Sequence, residues 1–497
     1  MSLGRLVSKT IWLYANQVIL SIFGFVYWLV ISMLAGPSAV GVASAILSIS
    51  TMVTLIICLG VPVSIQRYLG KALGEGDSES VRTFFWSAVC YAAVVSLGTS
   101  VIVLCLSALG LGTHRLRPDM LAFSAVLIAL SSASYLNGIL TACLETQYIT
   151  YSSLASNVAR LAVGVVLVLL GLGWVGVTLS LLAGSLASLL VLIASLLQVA
   201  RKYELGGRPS VSLAAILELI KGGVPGWAPG LLLTLGQWFG VLSVYEIKGG
   251  AASGQYYIAF AICGVLTSFS TALLQLAMPV LSGMSRGRGE LLRRATRVSL
   301  AIAGLASSAL FFYSEVPLAI LGRGYLSARL ALSVLALSIV PATLVMAVNS
   351  FTYACGMYAA VLALGMAMNV PRLALYVPLV GAYGATGAAL SYLLGSLTGL
   401  AAAAVIAART KVPVPWGRAA IAITVSFTIF QAVSLLGAPW LVTLPLAAGA
   451  TALAYARLRL VTPGDVREIA RSVIPEGCLR RAYPVVEPMF KVFFGAE

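Results

Sequence analysis

Long apolar segments follow one another along almost the whole chain. They lie near residues 10–34, 39–64, 83–110, 119–143, 149–171, 175–200, 213–245, 253–282, 296–321, 326–352, 356–380, 384–408, 417–436 and 439–458. A membrane-spanning helix needs about 20 apolar residues, whereas a membrane-spanning strand shows only about 10 alternating ones. The sequence therefore predicts an all-α polytopic membrane protein with fourteen transmembrane helices.

The composition excludes most soluble enzymes. Only 9% of the 497 residues are charged, whereas soluble proteins carry about 25%. The chain has a single His, its Cys residues show no CxxC spacing, and no GxxxxGK[ST] loop is present. We therefore expect no enzyme, no zinc site, no ATP site and no cofactor.

The basic residues predict the orientation in the membrane. If the N-terminus is cytoplasmic, 23 of the 31 Lys and Arg fall on the cytoplasmic side and 5 on the outer side. The other three, Arg160, Lys221 and Arg372, fall within spans. Membrane proteins collect Lys and Arg on their cytoplasmic side. We therefore expect a cell-membrane protein with both termini cytoplasmic, and the net charge of +16 does not indicate nucleic-acid binding.

The two halves of the chain are related by an internal repeat. Residues 137–143 match residues 349–355, and residues 157–161 match residues 369–373, at an offset of 212. A repeat of this length holds six spans, an even number, so both copies enter the membrane from the same side. Parallel repeats of this kind are typical of transporters, with a substrate between the two lobes.

The repeat sets the predicted domains. We expect an N-lobe at 1–206 (spans 1–6), a C-lobe at 207–412 (spans 7–12), two extra spans at 413–459 and a cytoplasmic tail at 460–497. Thr462, Pro463 and Asp465 resemble a helix start. The tail is interpreted as a short interfacial helix on anionic lipid, with a partner-binding tail as the alternative.

Each lobe carries an Asn-x-x-Arg motif inside a span. Asn157 and Arg160 lie in the fifth span, and Asn369 and Arg372 lie at the equivalent position of the eleventh. An arginine near the bilayer centre costs about 3 kcal/mol or more. A guanidinium matches phosphate oxygens, so the four residues are predicted to bind an anionic substrate. The alternative is a structural role, in which each arginine bonds to backbone or to a neighbouring span.

Other polar residues are weaker candidates for the substrate site. Asn16 and Gln17 lie in the first span, and Lys221 opens the second lobe, where it either reaches the interface or lines the cavity entrance. Asn137 is interpreted as an inter-helix hydrogen-bonding group. Tyr256 and Tyr257 are interpreted as aromatic residues of the membrane interface.

A stretch rich in Gly and Pro follows Lys221. Gly223, Pro225, Gly226 and Pro229 are predicted to break the helix and to form a hinge, with a static kink as the alternative.

Two local motifs resemble a known family. They are Leu34-Ala-Gly36-Pro37-x-x-x-Gly41 after the first span, and Ile220-Lys221-x-Gly223-Val-Pro225 with Gly254-x-Tyr256-Tyr257-x-Ala259 around the seventh. With twelve spans in two lobes and two extra spans, the chain resembles the polysaccharide-transporter branch of the multidrug/oligosaccharidyl-lipid/polysaccharide exporter superfamily.

The resemblance implies a flippase for a lipid-linked oligosaccharide, driven by an ion gradient or the membrane potential. Na⁺ or H⁺ would be the coupling ion. The expected partners are the lipid-linked substrate and membrane lipids, with glycosyltransferases as candidate partners, and we expect a monomer.

Two alternatives remain. A multidrug and toxin extrusion antiporter of the same superfamily would export cations and would need a carboxylate inside the membrane, which the spans of the first lobe lack. A non-transporting membrane scaffold is the third option.

Overall fold

The protein is almost wholly helical in a computed structural model. The model describes the backbone of residues 3–110, 112, 115–203, 205, 209–284 and 286–465, and side chains from residue 23 onward. The helices are α1 (Leu3–Cys58), α2 (Val61–Glu75), α3 (Ser78–Ala108), α4 (Pro118–Leu130), α5 (Ala133–Ala142), α6 (Gln147–Leu169), α7 (Gly173–Lys202), α8 (Leu213–Lys248), α9 (Gly250–Gly283), α10 (Arg288–Phe312), α11 (Glu315–Leu321), α12 (Arg329–Ala336), α13 (Ile339–Ala354), α14 (Tyr358–Tyr383), α15 (Ala385–Thr410), α16 (Trp416–Ser434) and α17 (Trp440–Arg457), with a 3₁₀ helix at Arg323–Ala328. These residues contain no strand, and the all-α fold is confirmed.

Twelve helices of the described residues are long and apolar enough to cross a membrane. One of them, Phe23–Cys58, covers parts of the first two predicted spans. Beyond the twelve, α17 covers the last predicted span. The prediction of a polytopic membrane protein is confirmed, and a helix stands at each predicted span.

The first two predicted spans meet within α1, at Gly36. This residue has φ 75° and ψ 171°, whereas its neighbours are helical. Glycine adopts a positive φ readily because it has no Cβ. The following Pro37 has no backbone N–H to donate to a continuing helix. The Gly-Pro pair therefore joins two helices at a sharp kink.

The segment after the second span forms an amphipathic helix. The predicted topology places this segment on the cytoplasmic side, and there α2 buries Val61, Ile65, Leu69 and Ala72 along one face. Spacings of three and four residues place these side chains together. They belong to an apolar core that also includes residues of α3, α5 and α7.

The chain divides into two compact units. The first contains Met1–Ile258, Leu321–Tyr325 and Leu373–Ala388, and the second contains Ala259–Ile320, Leu326–Arg372 and Ala389–Glu497. In the first unit, α1 packs against α4, α6, α7 and α8. In the second, α10 packs against α12, α13, α16 and α17. The lobe boundaries at 206 and 412 stay predictions.

The described part of the tail begins a helix. Residues 463–465 are helical, the Asp465 N–H donates to Thr462 Oγ1, and the Thr462 N–H donates to Asp465 Oδ2. This reciprocal pair is a capping arrangement and agrees with the predicted helix start. The rest of the tail prediction, residues 466–497, lies outside the described residues.

Candidate functional site

A polar cavity of about 650 Å³ lies within the first unit. Most of its wall surface is apolar, but ten of its 22 lining residues carry a hydroxyl or amide side chain: Ser50, Thr51, Thr54, Ser131, Ser134, Asn137, Ser156, Ser185, Ser188 and Thr234. None of the described residues lining it is charged. Because hydroxyls both donate and accept hydrogen bonds, this wall suits a polar, uncharged group rather than an ion.

Helices α1 and α8 form part of this wall and pack closely together. Trp227 on α8 lines the cavity and donates from Nε1 to the Leu55 carbonyl on α1, at 2.6 Å. One turn earlier, a Cβ on Gly223 would lie only 2.5 Å from the Gly60 carbonyl carbon. Glycine is therefore required here by the approach of two backbones.

Asn137 brings an unsatisfied acceptor to the cavity. Its Oδ1 is buried and has no hydrogen-bond partner among the described residues. An unpaired buried polar group costs about 1–3 kcal/mol. Asn137 also lines the cavity, but Oδ1 itself is closed off in this conformation. A donor group on a bound molecule would reach it, and remove that cost, once the side chain turns toward the cavity. The sequence predicted that Asn137 hydrogen-bonds between helices, and it did not predict that this residue lines a cavity.

Arg160 lies on α6 and is partly satisfied by the protein. Its Nη2 donates to Asn157 Oδ1 at 2.8 Å, and its guanidinium lies 4.2 Å from the centre of the Tyr27 ring. The Nε atom is buried without a hydrogen-bond partner among the described residues. The guanidinium therefore keeps a free donor.

The backbone of Arg160 runs beside the cavity wall. A Cβ on Gly184 of α7 would lie 3.0 Å from Arg160 Cβ and 2.9 Å from the Ser156 carbonyl oxygen. Both Ser156 and Ser185, the residue after Gly184, line the cavity. Arg160 itself is not a lining residue in this conformation, but it adjoins two residues that are.

Arg372 occupies the equivalent position on α14, and each of its three guanidinium nitrogens has a hydrogen-bond partner. It is 1% exposed. Its Nη1 donates to Asn369 Oδ1 at 3.2 Å, its Nη2 to Ser396 Oγ at 2.7 Å, and its Nε to the Tyr392 carbonyl at 3.3 Å. The guanidinium also lies 3.8 Å from the centre of the Tyr392 ring. The local contacts therefore favour the structural alternative for Arg372.

The two Asn-x-x-Arg motifs share their local geometry. In each, the asparagine Nδ2 donates to the backbone carbonyl four residues earlier, and its Oδ1 accepts from the arginine. In each, a glycine of the next helix, Gly184 or Gly395, packs against the arginine side chain. The i,i+3 pairs expected from the sequence are present in both repeats.

The predicted helix break after Lys221 is wrong for this conformation. Helix α8 is continuous from Leu213 to Lys248, with Pro225 and Pro229 inside it. The two prolines are four residues apart, so the backbone donors they lack lie on one helix face, and the close packing against Leu55 and Gly60 supports the helix there. The hinge role stays a prediction.

The remaining candidate residues are not brought to the cavity by the described contacts. Lys221 is exposed near the start of α8. Asn16 and Gln17 lie in the helical part of α1, but their side chains lie outside the described residues.

Comparison with known proteins identifies the family. A model of the family described as polysaccharide biosynthesis protein matches residues 6–285, which is more than half of the chain. The chain belongs to this family. The polysaccharide family expected from the sequence is confirmed.

Solved structures with the same fold include flippases and transporters. The structure of the lipid II flippase MurJ in an inward closed conformation matches with a TM-score of 0.73 at 13% identity, covering 92% of this chain and 100% of that one. A multidrug resistance MATE family transporter of the MOP superfamily matches in its inward-facing conformation with a TM-score of 0.57 at 15% identity, covering 78% of this chain and 95% of that one. An outward-facing structure of such a transporter matches with a TM-score of 0.51 at 15% identity, covering 82% and 96%. A search of curated protein sequences gave no match.

The interpretation of two tyrosines is corrected in this family member. Tyr256 is 0% exposed and Tyr257 is 5% exposed, so neither is a membrane-interface residue. Tyr257 packs edge-on against Trp28, with ring centres 4.7 Å apart. The sequence of a Tyr-Tyr pair near the end of a span does not distinguish a position at the membrane interface from a position buried among helices.

The serines and threonines of the cavity wall were also missed. Ser and Thr occur throughout the spans of this chain, and in helices they often bond to a backbone carbonyl of the preceding turn. Ser50 and Ser134 do so here. Only the tertiary arrangement shows which hydroxyls share a cavity.

Proposed function

We propose that the protein is a flippase that moves a lipid-linked, phosphate-bearing oligosaccharide across the cell membrane by alternating access. The family and fold give a transporter of the exporter superfamily, and the substrate is our inference. Movement is driven by an ion gradient or by the membrane potential, with Na⁺ or H⁺ as the coupling ion.

The observation that carries this proposal is the uncharged polar wall of the cavity. Sugar hydroxyls need hydrogen-bond partners in many directions, and the wall offers Ser, Thr and Asn side chains from α1, α5, α6, α7 and α8. Among them, Ser50, Ser131 and Ser134 already donate to backbone carbonyls and therefore serve as acceptors. The unpaired Asn137 Oδ1 accepts a hydrogen bond from a sugar hydroxyl in this proposal. The saccharide therefore occupies the cavity.

Arg160 supplies the contact to the phosphate. Its Nε has no partner among the described residues, and Asn157 and Tyr27 hold its guanidinium in place. Hydrogen bonds to charged groups contribute about 1.5–3 kcal/mol. Arg372, with three internal hydrogen bonds, holds α14 against α15 instead.

The cavity argues against the cation antiporter. A cation needs a carboxylate in a low-dielectric site, and no described residue lining the cavity is acidic. In the first unit, the buried Glu145 accepts from Lys202 Nζ and from Gln147 Nε2. This carboxylate is already neutralised and is not available to a drug cation.

Transport in liposomes tests the proposal. Purified protein is placed in liposomes with a radiolabelled polyprenyl-diphosphate oligosaccharide, and the fraction reaching the opposite leaflet is measured. We expect Arg160→Ala to reduce flipping by roughly 10- to 100-fold, the equivalent of about 1.5–3 kcal/mol. Arg160→Lys should retain an intermediate rate, because it keeps the charge without the guanidinium fork.

Arg409→Ala is the matched control, since Arg409 is exposed at the end of α15. It should flip like the wild type. If the protein moves a fluorescent cationic dye and not the labelled lipid, the antiporter alternative is correct. If it moves neither probe, the non-transporting scaffold is the remaining alternative.

A further inference from the structure

The polar cavity has a single aromatic residue among the described residues of its wall, Trp227 of α8. The indole Nε1–H donates to the Leu55 carbonyl of α1 at 2.6 Å. An indole has no other hydrogen-bonding group. Trp227 therefore offers the cavity the surface of its ring and not a donor, and the hydrogen bond to Leu55 holds the ring in place.

The face of α8 around Trp227 is open. Gly226, Gly230 and Thr234 line the cavity with Trp227, and spacings of three and four residues place them on one side of the helix. A Cβ on Gly226 or Gly230 would have nothing within 4 Å. The two glycines therefore leave room beside the indole for a ring-sized group to lie against it.

Six hydroxyl groups of the wall are free to bind a ligand. They make no hydrogen bond to a described residue, and their oxygens are not enclosed as Asn137 Oδ1 is. They belong to Thr51, Thr54, Ser156, Ser185, Ser188 and Thr234. Each hydroxyl has a donor and acceptor positions, so α1, α6, α7 and α8 all bring donors and acceptors to the space that Trp227 borders.

This wall selects against a lipid chain and against a charged group. A hydrocarbon chain in the cavity would leave the six hydroxyls without partners, which is unfavourable away from water. A carboxylate or an ammonium group would enter without a counter-charge, because no described residue of the wall is charged. The wall therefore accepts a polar, uncharged group that also has an apolar surface for the indole.

A sugar ring has this combination of surfaces. Its edge carries hydroxyls, which donate and accept hydrogen bonds, and its face carries C–H groups whose hydrogens are slightly positive. The face of an aromatic ring is negatively polarised and attracts such hydrogens. A sugar ring can therefore stack on Trp227 while the hydroxyls of the wall bond to its edge.

We propose that Trp227 is the platform on which an uncharged sugar ring of the lipid-linked substrate stacks, and that the cavity selects neutral over acidic saccharides. This inference rests on the proposed function, which places the saccharide in this cavity. Arg160 does not line the cavity, so its charge serves the phosphate and leaves the sugar without a counter-charge.

Binding of three lipids to full-length protein in detergent tests the platform. They are radiolabelled polyprenyl diphosphates that carry a glucose disaccharide, a disaccharide with one glucuronic acid, or no sugar, and their dissociation constants are measured. We expect the acidic lipid to bind roughly tenfold more weakly than the neutral one. Trp227→Leu should weaken binding of the neutral lipid roughly 5- to 20-fold and leave the sugarless lipid unchanged.

Further variants separate stacking from a structural role. Trp227→Phe keeps an aromatic face and loses the bond to Leu55, so it should weaken the neutral lipid less than Trp227→Leu. Trp86→Leu is the matched control, because Trp86 also donates from Nε1 to a backbone carbonyl, that of Leu205 at 3.3 Å, and does not line the polar cavity. It should bind all three lipids like the wild type.

A second wall variant keeps the test decisive if Trp227→Leu fails to fold. Thr51→Val with Thr234→Val removes two free hydroxyls and nearly keeps the side-chain shape. The double variant should weaken the neutral lipid severalfold and leave the sugarless lipid unchanged, because only the sugar loses hydrogen bonds.

The outcomes separate this proposal from the proposed function. Equal weakening of the neutral and sugarless lipids by Trp227→Leu, or equal affinities of the wild type for the neutral and acidic lipids, would overturn the platform, and continued flipping in liposomes would leave the flippase intact. A loss confined to the sugar-bearing lipid, in a protein that flips none of the three, would support the platform and overturn the proposed function.

Discussion

Arg372 donates from Nη2 to Ser396 Oγ at 2.7 Å, whereas Ser185, the residue at the position of Ser396 in the first repeat, lines the polar cavity. The two repeats therefore use the same serine position differently. In the second repeat the serine satisfies the arginine, and in the first the arginine keeps an unpaired Nε. In the proposed function, this divergence leaves one copy to stabilise the fold and the other to contact the substrate.

This difference predicts opposite effects of the two arginine substitutions. Arg372→Ala should destabilise the protein by about 3 kcal/mol, because it leaves Asn369 Oδ1 and other buried groups without their donor. Arg160→Ala should change the thermal stability much less and should lower flipping instead. Differential scanning fluorimetry in detergent and the liposome assay measure the two effects, and equal losses of stability would contradict the assignment.

The sequence predicts the Asn-x-x-Arg motifs but not their different roles. Both i,i+3 pairs follow from helical periodicity alone, and both are present. The ring that packs on each arginine comes from a different place: Tyr27 of α1 in the first repeat and Tyr392 of α15 in the second. Such contacts depend on which helices pack together, and the periodicity of a single helix carries no information on that.

The fold was more predictable than the site for a similar reason. A span is encoded locally by a run of apolar residues, and helices stand at the predicted spans. A cavity wall is encoded by tertiary packing, so single serines such as Ser156 and Ser185 give no local signal. Helix α8 shows the opposite failure, because its Gly and Pro residues predicted a break, whereas the helix is continuous in this conformation.

The close contact between Gly41 and Gly254 predicts a sharp loss of stability on adding a methyl group. A Cβ on Gly41 would overlap the backbone of Gly250, and a Cβ on Gly254 would overlap the Pro37 carbonyl. Backbone cannot move aside as a flexible side chain does, so Gly41→Ala should lower the melting temperature by several degrees. Gly98→Ala on α3, where nothing lies within 4 Å of a Cβ, should be neutral or slightly stabilising.

The hinge prediction can be tested without disturbing the packing of α8. Gly223→Ala is unsuitable, because its Cβ would press on the Gly60 backbone. Gly226 and Gly230 have nothing within 4 Å of a Cβ, and alanine stiffens a helix at these positions. Gly226→Ala with Gly230→Ala should slow flipping severalfold. Because both glycines also line the polar cavity, substrate affinity is measured in the same variant to separate a stiffer helix from a narrower cavity. If the double variant flips substrate at the wild-type rate, the hinge prediction is wrong and the static alternative remains.

The predicted orientation can be read by cysteine labelling. Ser38 and Ser78 are both exposed and fall on opposite sides of the predicted topology. With a membrane-impermeant maleimide added to intact cells, Ser38→Cys should react and Ser78→Cys should react only after permeabilisation. The reverse pattern would place the termini outside, and the chain with its natural cysteines alone sets the background.

The tail helix should be tied to α10 by a charge cluster that survives mild acid. Asp465 accepts from Arg294 and Arg297, at 3.1 Å and 2.6 Å, and its side chain is 4% exposed. Burial alone would raise the pKa of Asp465, but hydrogen bonds from Thr462 and the charges of Arg297 and Arg294 outweigh it and hold the pKa below the ordinary 3.8. A carboxyl whose pKa is lowered on folding stabilises the protein above its unfolded pKa and loses that contribution as the pH falls through the folded one.

Asp465→Asn should therefore lower the melting temperature at pH 7 and equally at pH 5, and the difference from the wild type should shrink only below about pH 4. The mostly buried Arg297, whose side chain is 13% exposed, loses its charged partner in this variant, which explains the loss at neutral pH. Glu75→Gln is the control, because Glu75 pairs with Lys71 at 3.7 Å on the surface with a side chain 60% exposed, and such pairs contribute about 0–1 kcal/mol. A wild-type advantage that already fades between pH 7 and pH 5 would show that the cluster does not hold Asp465 ionised.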